Sequence, residues 1–483
     1  MGARTGTEYL EGLRHSSTEI WLGDERISDV TTHPALRGCA QSMAHLYDMQ
    51  HAEDLRDEMT YPSPTSGDPV GLSFITPRSL EDLQRRSAMM FHWSRFSGGM
   101  LGRSSDYINV EIMAAAAAAD FYSQNDSRFG ENARNYYDYA RENDLCMTHT
   151  LVNPQSNRAL TADGHPSADV ALRIVDENAD GMVVRGARIL ATLGPLADEI
   201  MVFPSTVLKA ASDTNSFAFA FTVPCGTPGM KFICRESLAY GDSPVDHPLS
   251  SRFEEMDTIV VFDDVLIPWD RVFLKSDPDL CSRHFPDTGC LAHMAQQVVI
   301  KNICKTEFVL GIACSIAEAL GSNQFQHVQE KIAECMINLE VMKACLRASE
   351  ADAKIDKWGV MSPDGAPLDA ARNIFPKMYP RMTEILQLLS ASSLMMIPPN
   401  SALDSPVAED IDRYLAAANR NARDRIKLFR LAWDVTCSAF AGRQVLYERF
   451  FFGDPVRMMS VLYQTYDKQP LMDRVEEFLN RDN

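Results

Sequence analysis

The sequence predicts an α+β chain in three stretches: a mainly helical N-terminal domain over 1–146, a middle antiparallel β-barrel domain over 147–280, and a C-terminal four-helix bundle over 281–483. Three observations carry this. Apolar residues recur at helical spacing in the first stretch; short β-branched and aromatic runs, punctuated by Gly, Pro, Asp and Asn, fill the second; and the helical period returns in the third. At 483 residues the chain is long enough for three such units.

The first stretch opens with a short strand-like piece, Glu19-Ile20-Trp21-Leu22, running into Gly23-Asp24. Leu36, Cys39, Met43 and Tyr47 then repeat at helical spacing, and the alanine-rich run over 107–122 has high helix propensity. The turn formers of 61–69 (YPSPTSGDP) predict a loop on the surface or over a cleft. In the middle stretch, Met182-Val183-Val184 and the runs 199–203, 217–221 and 258–262 read as strands. In the last, Ile300, Cys304, Phe308, Ile312, Ile316 and Leu320 form one helical stripe, and Ile332, Met336, Leu339, Met342 and Leu346 form a second. Two further helices are expected over about 380–397, after Pro376 and Pro380, and over about 411–450.

Hydrophobic residues at 45% and charged residues at 23% support a packed core rather than disorder. A net charge of −20 repels phosphate backbones and anionic lipids, so neither nucleic acid nor a membrane surface is the expected partner. The eleven Cys are odd in number and include no CxxC pair, a pattern of free thiols in a reducing compartment such as the cytoplasm. Glu8 and Glu11 stand where a signal peptide needs an apolar core, and the apolar stretch 112–119 is too short to span a bilayer.

The Rossmann GxGxxG, the P-loop pattern, HExxH and GxSxG are all absent, which removes support for a dinucleotide site, phosphate-loop chemistry, zinc hydrolysis and the common serine-hydrolase arrangement. No His/Cys group has zinc-ligand spacing, so no metal is expected. Four polar segments remain. Gly102-Arg103-Ser104-Ser105-Asp106-Tyr107 precedes a helix: a cap with a surface Arg accounts for it, and Arg103 and Tyr107 projecting toward one site is the alternative. Residues 148–158 (THTLVNPQSNR) lie at the junction of the helical and β stretches, where His149 either packs or exchanges a proton, and Arg158 can meet an anion. Ala191-Thr192-Leu193-Gly194 and Phe440-Ala441-Gly442-Arg443-Gln444 are weak signals alone, because a Gly-Arg pair in a helix also serves close packing.

In order along the chain, Arg4-Thr5-Gly6 with Tyr9-Leu10, Asp29-Val30-Thr31-Thr32-His33-Pro34, the GRSSDY segment, His149 with Asn153-Pro154-Gln155 and Arg158, the ATLGPLADE run and GRQxLYERFFFGDP resemble the oxygenase components of the 4-hydroxyphenylacetate 3-monooxygenase family. The resemblance spans nearly the whole chain. It implies an acyl-CoA dehydrogenase-like fold, usually homotetrameric, and a two-component monooxygenase. FAD then arrives as FADH2 from a separate reductase, forms a C4a-hydroperoxide with O2, and one oxygen enters ortho to a phenolic hydroxyl. It further implies that Arg103, Tyr107 and His149 surround the phenol oxygen as catalytic and substrate-binding residues: Arg103 for phenolate charge, His149 as acid/base, Tyr107 for orientation. Gln155, Asn157, Arg158 and Thr192 match flavin-contacting positions, Gly442, Arg443 and Gln444 another part of FAD, and Ser205 and Thr206 the loop that meets the substrate tail. The stretch 204–213 carries no distinctive carboxylate clamp, which leaves open a free phenol or one tethered to a carrier protein. A superfamily member, 4-hydroxybutyryl-CoA dehydratase, holds an iron–sulfur cluster through three Cys and one His; Arg103 and Tyr107 stand where its CxxxC pair would be, which argues against that reading. A flavin-dependent oxidase or dehydrogenase on the same fold is the alternative and requires an acidic base near the flavin.

Overall fold

The computed structural model describes residues 2–154, 170–204, 215–241 and 243–481. Helix α1 (Gly6–Arg14) is opened by a capping box: the Thr5 hydroxyl accepts from the Glu8 amide at 3.2 Å, and Glu8 accepts from the Thr5 amide at 2.7 Å. Arg4 beside it donates to the Asp144 carbonyl at 2.9 Å and to Asp198 at 2.7 Å, tying the start of the helical region to the strands. The strand-like piece is a hairpin, β1 (Ile20–Leu22) and β2 (Glu25–Ile27), turned on Gly23 with φ +63°. Helices α2 (Arg37–Met49), α3 (Leu80–Phe96), α4 (Asp106–Ala117) and α5 (Ser127–Glu142) follow. The alanine run lets α4 pack closely on every side, and its first ten residues, Asp106 to Ala115, are all buried. It ends at Ala117, and a short separate helix, Ala119–Tyr122, completes the run. The turn-rich 61–69 segment is the tip of a small hairpin between Thr60–Pro62 and Pro69–Gly71.

The middle region holds β3 (Met147–Thr150), β4 (Arg173–Glu177), β5 (Gly181–Thr192), β6 (Glu199–Val202), β7 (Phe219–Pro224), β8 (Met230–Cys234), β9 (Asp257–Pro268) and β10 (Val272–Lys275). These form two sheets, of order β2-β1-β8-β9-β5-β4 and β10-β7-β6-β3, and not one antiparallel barrel as the sequence led us to expect. Two pairings are parallel, β1 with β8 and β3 with β6. Apolar runs reveal strand content but neither partner nor direction, which the crossovers decide. The N-terminal hairpin is thereby part of the larger sheet. Within it, Thr192 lies opposite Asp257, and Leu190 is bulged out with φ +62° where the β5–β9 register shifts.

The C-terminal region comprises α6 (Pro278–Asp287), α7 (Cys290–Ala319), α8 (Gln326–Ala351), α9 (Gly365–Ser390), α10 (Ala422–Thr436) and α11 (Ala439–Phe450). Helix α7 is central and packs against α3, α4, α8 and α9. The expected helix start near 380 is wrong: α9 begins at Gly365 and runs through Pro376 and Pro380. Each interior proline costs about 3 kcal/mol of local helix stability. Packing of α9 on α7 and α8, which buries Phe375, Met378, Tyr379 and Met382, offsets that cost. The single helix expected over 411–450 is three, a short helix Ala408–Tyr414 followed by α10 and α11, the last two broken at Cys437, with the Ser438 hydroxyl capping α11 by accepting from the Ala441 amide at 3.1 Å. Helices α12 (Pro455–Thr465) and α13 (Gln469–Leu479) follow and bury no residue. Eight of the eleven Cys are buried, all are free, and burial raises the pKa of each buried thiol. Among the described residues no helix is long and apolar enough to cross a membrane.

Candidate active site

Arg103 ends a loop that glycine makes possible. Gly98 and Gly99 sit at φ +58° and +72°, and a Cβ on Gly102 would lie 2.3 Å from the Tyr447 hydroxyl oxygen. The amides of Gly102 and Arg103 both donate to Glu255 Oε1, at 2.6 and 2.7 Å. The chain then enters α4, whose first turn carries Tyr107. The guanidinium carbon of Arg103 lies 4.1 Å from the Tyr107 ring centroid, with Phe451 at 5.2 Å and Tyr447 at 5.5 Å on other sides. Its Nη2 donates to the Phe451 carbonyl at 3.2 Å, whereas Nη1 is buried with no partner among the described residues.

His149 comes from β3, its ring centroid 5.5 Å from that of Tyr107. Phe203, just past β6, meets the imidazole edge-on with ring centroids 5.4 Å apart. Burial, reinforced by the Arg103 charge, pushes His149 well below the ordinary histidine value. Its ring is therefore neutral at neutral pH and able to accept a proton. The structure thus brings together Arg103, Tyr107 and His149, the three residues that the sequence singled out for the phenol oxygen, although 42 residues separate Tyr107 from His149.

Thr192 forms an adjoining wall. Its hydroxyl donates to Asp257 Oδ1 at 2.7 Å, and its carbonyl accepts from the Thr148 hydroxyl at 2.6 Å, which joins β5 to the His149 strand. Arg443, on α11, donates to Asp257 at 2.7 and 3.0 Å and to Glu255 Oε2 at 2.9 Å, and Arg235 donates to Asp257 at 3.0 Å. Burial by itself would raise Asp257, but Arg443 and Arg235 hold it well below the usual carboxylate range. Gly442 is exposed, with open space where a Cβ would stand. Gln444 is buried, accepting from Lys305 Nζ at 2.7 Å and donating to the Met100 carbonyl at 3.1 Å. Gln155, Asn157, Arg158, Ser205 and Thr206 lie outside the described residues.

Several residues that hold this arrangement were not singled out from sequence: Glu255, Asp257, Tyr447, Phe451, and a buried cluster of Lys301, Lys305 and Glu448. Both ammonium groups donate to Glu448, at 2.5 to 2.7 Å, clamping α7 to α11 directly beneath the Arg103 loop. Burial pushes Lys301 down to about 7. Two lysines one turn apart on the mostly buried helix α7 are the signal that could have found them. Beyond Phe203, Glu111, His284 and Cys290 each bring a ligand-type atom within 4.8 Å of the others, a juxtaposition that no local spacing announces. Burial raises both the Glu111 carboxyl and the Cys290 thiol, favouring their neutral forms.

The sequence models for the 4-hydroxyphenylacetate 3-hydroxylase N terminal and C terminal match residues 5–274 and 281–480. The 4-hydroxyphenylacetate 3-monooxygenase oxygenase component of Geobacillus sp. (strain PA-9) is 48% identical over 99% of this chain and 97% of its own. Its namesake from Thermus thermophilus is 47% identical over 99% and 97%. A crystal structure of an oxygenase component complexed with FAD and 4-hydroxyphenylacetate superposes with a TM-score of 0.96 at 47% identity, covering 99% of both chains. The chain belongs to the 4-hydroxyphenylacetate 3-hydroxylase family.

Proposed function

We propose that the protein is the oxygenase component of a two-component, FADH2-dependent aromatic hydroxylase, which places one oxygen of O2 ortho to a phenolic hydroxyl. The observation that carries this reading is the buried, unpartnered Nη1 of Arg103 beside Tyr107 and a neutral His149. A cationic donor and a neutral proton acceptor in one dry site suit a phenol that must become phenolate to react.

The residues fit a flavin. Having donated to Asp257, the Thr192 hydroxyl keeps its lone pairs and can accept from an N–H donor; reduced isoalloxazine offers ring N–H donors that the oxidised ring lacks. Gly442 leaves open space beside Arg443 and Gln444. When bound, the reduced flavin supplies the activation of O2 for electrophilic transfer. The chain's own residues do the rest. Arg103 stabilises the phenolate, His149 takes the phenol proton, Tyr107 fixes the ring, and Phe203 helps exclude water. Thr192 and the Gly442–Gln444 segment are assigned to the cofactor; the family resemblance assigns Gln155, Asn157 and Arg158 to the same cofactor, and Ser205 and Thr206 to the substrate tail. Arg443 spends its donors on Asp257 and Glu255, and so positions both Thr192 and the Arg103 loop.

An oxidase or dehydrogenase reading needs a free carboxylate base. Asp257 is clamped by Arg443 and Arg235, and Glu255 accepts from two amides and Arg443, so neither is available. The assembly we favour is a homotetramer in the cytoplasm. Helices α12 and α13 expose Val456, Tyr463, Leu471 and Phe478, each at least half accessible, an apolar surface that a second subunit would cover. Light scattering on the purified protein reads this directly, and a stable monomer would sink it.

The test is to mix the protein with FADH2, O2 and 4-hydroxyphenylacetate and assay the ortho-dihydroxy product. Product is expected with FADH2 from a reductase or chemical reduction, and none with NADH and FAD alone. Tightly held oxidised FAD that NADH reduces without a partner protein would overturn the two-component reading.

A further inference from the structure

Three side chains with metal-ligating atoms meet in the interior: Glu111 on α4, His284 on α6 and Cys290, the first residue of α7. All three are completely buried, and one ligand-type atom from each lies within 4.8 Å of the other two. Glu111 Oε1 and His284 Nε2 stand 3.5 Å apart. Among the described residues neither oxygen of Glu111 nor Nε2 of His284 has a hydrogen-bond partner. Buried polar atoms are rarely left unmet, and here three of them share the same few ångströms.

Distance separates the two ways of satisfying them. An imidazolium bonded directly to a carboxylate closes to about 2.7–2.9 Å, well short of the observed gap. Two ligands on one tetrahedral ion stand farther apart: with metal–nitrogen and metal–oxygen bonds of about 2.0–2.2 Å, the edge of the tetrahedron is roughly 3.3–3.6 Å. The Glu111–His284 separation of 3.5 Å falls in that range. A thiolate bond of about 2.3 Å places Cys290 at a third corner, and a water can take the fourth.

The surroundings prepare each ligand. His284 Nδ1 meets the Tyr122 hydroxyl at 3.2 Å. With the proton on Nδ1 and donated to that hydroxyl, the Nε2 lone pair is left for an ion, the outer contact that orients a ligating histidine. Cys290 opens α7, after Gly289 at φ +78°, and the free amides of a helix start favour a thiolate. One sulfur, one nitrogen and one carboxylate suit a borderline ion such as Zn2+; Mg2+ and Ca2+ take oxygen alone. In the unloaded chain burial favours the protonated carboxyl and thiol, and a bound ion displaces those protons.

We propose that Glu111, His284 and Cys290 form a structural site for a divalent transition metal of the zinc class, clasping α4, α6 and the start of α7. Glu111 lies one turn beyond Tyr107 on α4, and Phe203 packs on both His284, at 5.7 Å, and His149, at 5.4 Å. The clasp therefore holds elements that carry or back the Arg103–Tyr107–His149 group. None of the three ligands belongs to that group, so the assignment stands apart from the hydroxylase reading.

The experiment loads the full-length protein with Zn2+ or Co2+, dialyses away the excess and counts retained metal by mass spectrometry. Absorption of the Co2+ form and thermal melts with and without EDTA accompany it. One ion per chain is expected, with a thiolate-to-Co2+ charge-transfer band and a melt that EDTA lowers. Cys290→Ser should abolish the band, and Glu111→Gln and His284→Gln should reduce retention to background. Tyr122→Phe should weaken affinity roughly 10- to 100-fold. Replacing the exposed thiols, Cys314→Ser with Cys437→Ser, should change neither band nor retention. Absence of retained metal in the wild type would overturn the proposal and leave a buried Glu–His pair; so would retention that survives Cys290→Ser and Glu111→Gln. If the ligand variants do not fold, Tyr122→Phe and the Cys314→Ser/Cys437→Ser protein decide: unchanged affinity in the first, or loss of the sulfur band in the second, refutes the site.

Discussion

His149→Ala is expected to lower hydroxylated product by about two to four orders of magnitude, the usual cost of losing one positioned acid/base group. Oxygen consumption should continue, its electrons appearing as H2O2, because activating the phenol and activating O2 are separate tasks. The expectation follows from the neutral imidazole held between Tyr107 and Phe203 and close to the Arg103 cation. Product and peroxide measured together on folded protein decide the matter. If His149 were only a packing residue, stability would fall while the ratio of product to peroxide stayed at the wild-type value.

Arg103→Met should cost roughly 100- to 1,000-fold in kcat/KM for the phenol, the range found when one preorganised donor to a developing oxyanion is removed. Arg103→Lys should restore only part of this, since a point charge cannot keep both the Phe451 carbonyl bond and a second directed donor over the Tyr107 face. The methionine keeps most of the volume between Tyr107, Tyr447 and Phe451, so a thermal melt near wild type is expected beside the kinetic loss. Steady-state rates that match the wild type would remove Arg103 from the reacting group.

Arg103, Tyr107 and His149 were legible because each sits in a short ordered segment, and the fold needed only to bring two segments face to face. Thr192 was legible for the same reason. Their supports were not. Glu255 reaches Arg103 across 152 residues, and Glu448 reaches Lys301 across 147, distances over which one sequence carries no pairing information. Local rules also failed where packing outweighed them: α9 passes through two prolines that should stop it, and the apolar runs of the middle region join two sheets with parallel pairs where a simple antiparallel closure was expected.

The burial of the cysteines acquires a chemical meaning beside such a site. A thiol reacts with peroxide as thiolate, and exclusion from water keeps eight of these groups in the unreactive protonated form. Under the proposed hydroxylase reading, peroxide released when no phenol is bound would meet sulfur that it attacks slowly. Cys314 and Cys437, the exposed pair, are left as the first points of self-inflicted damage.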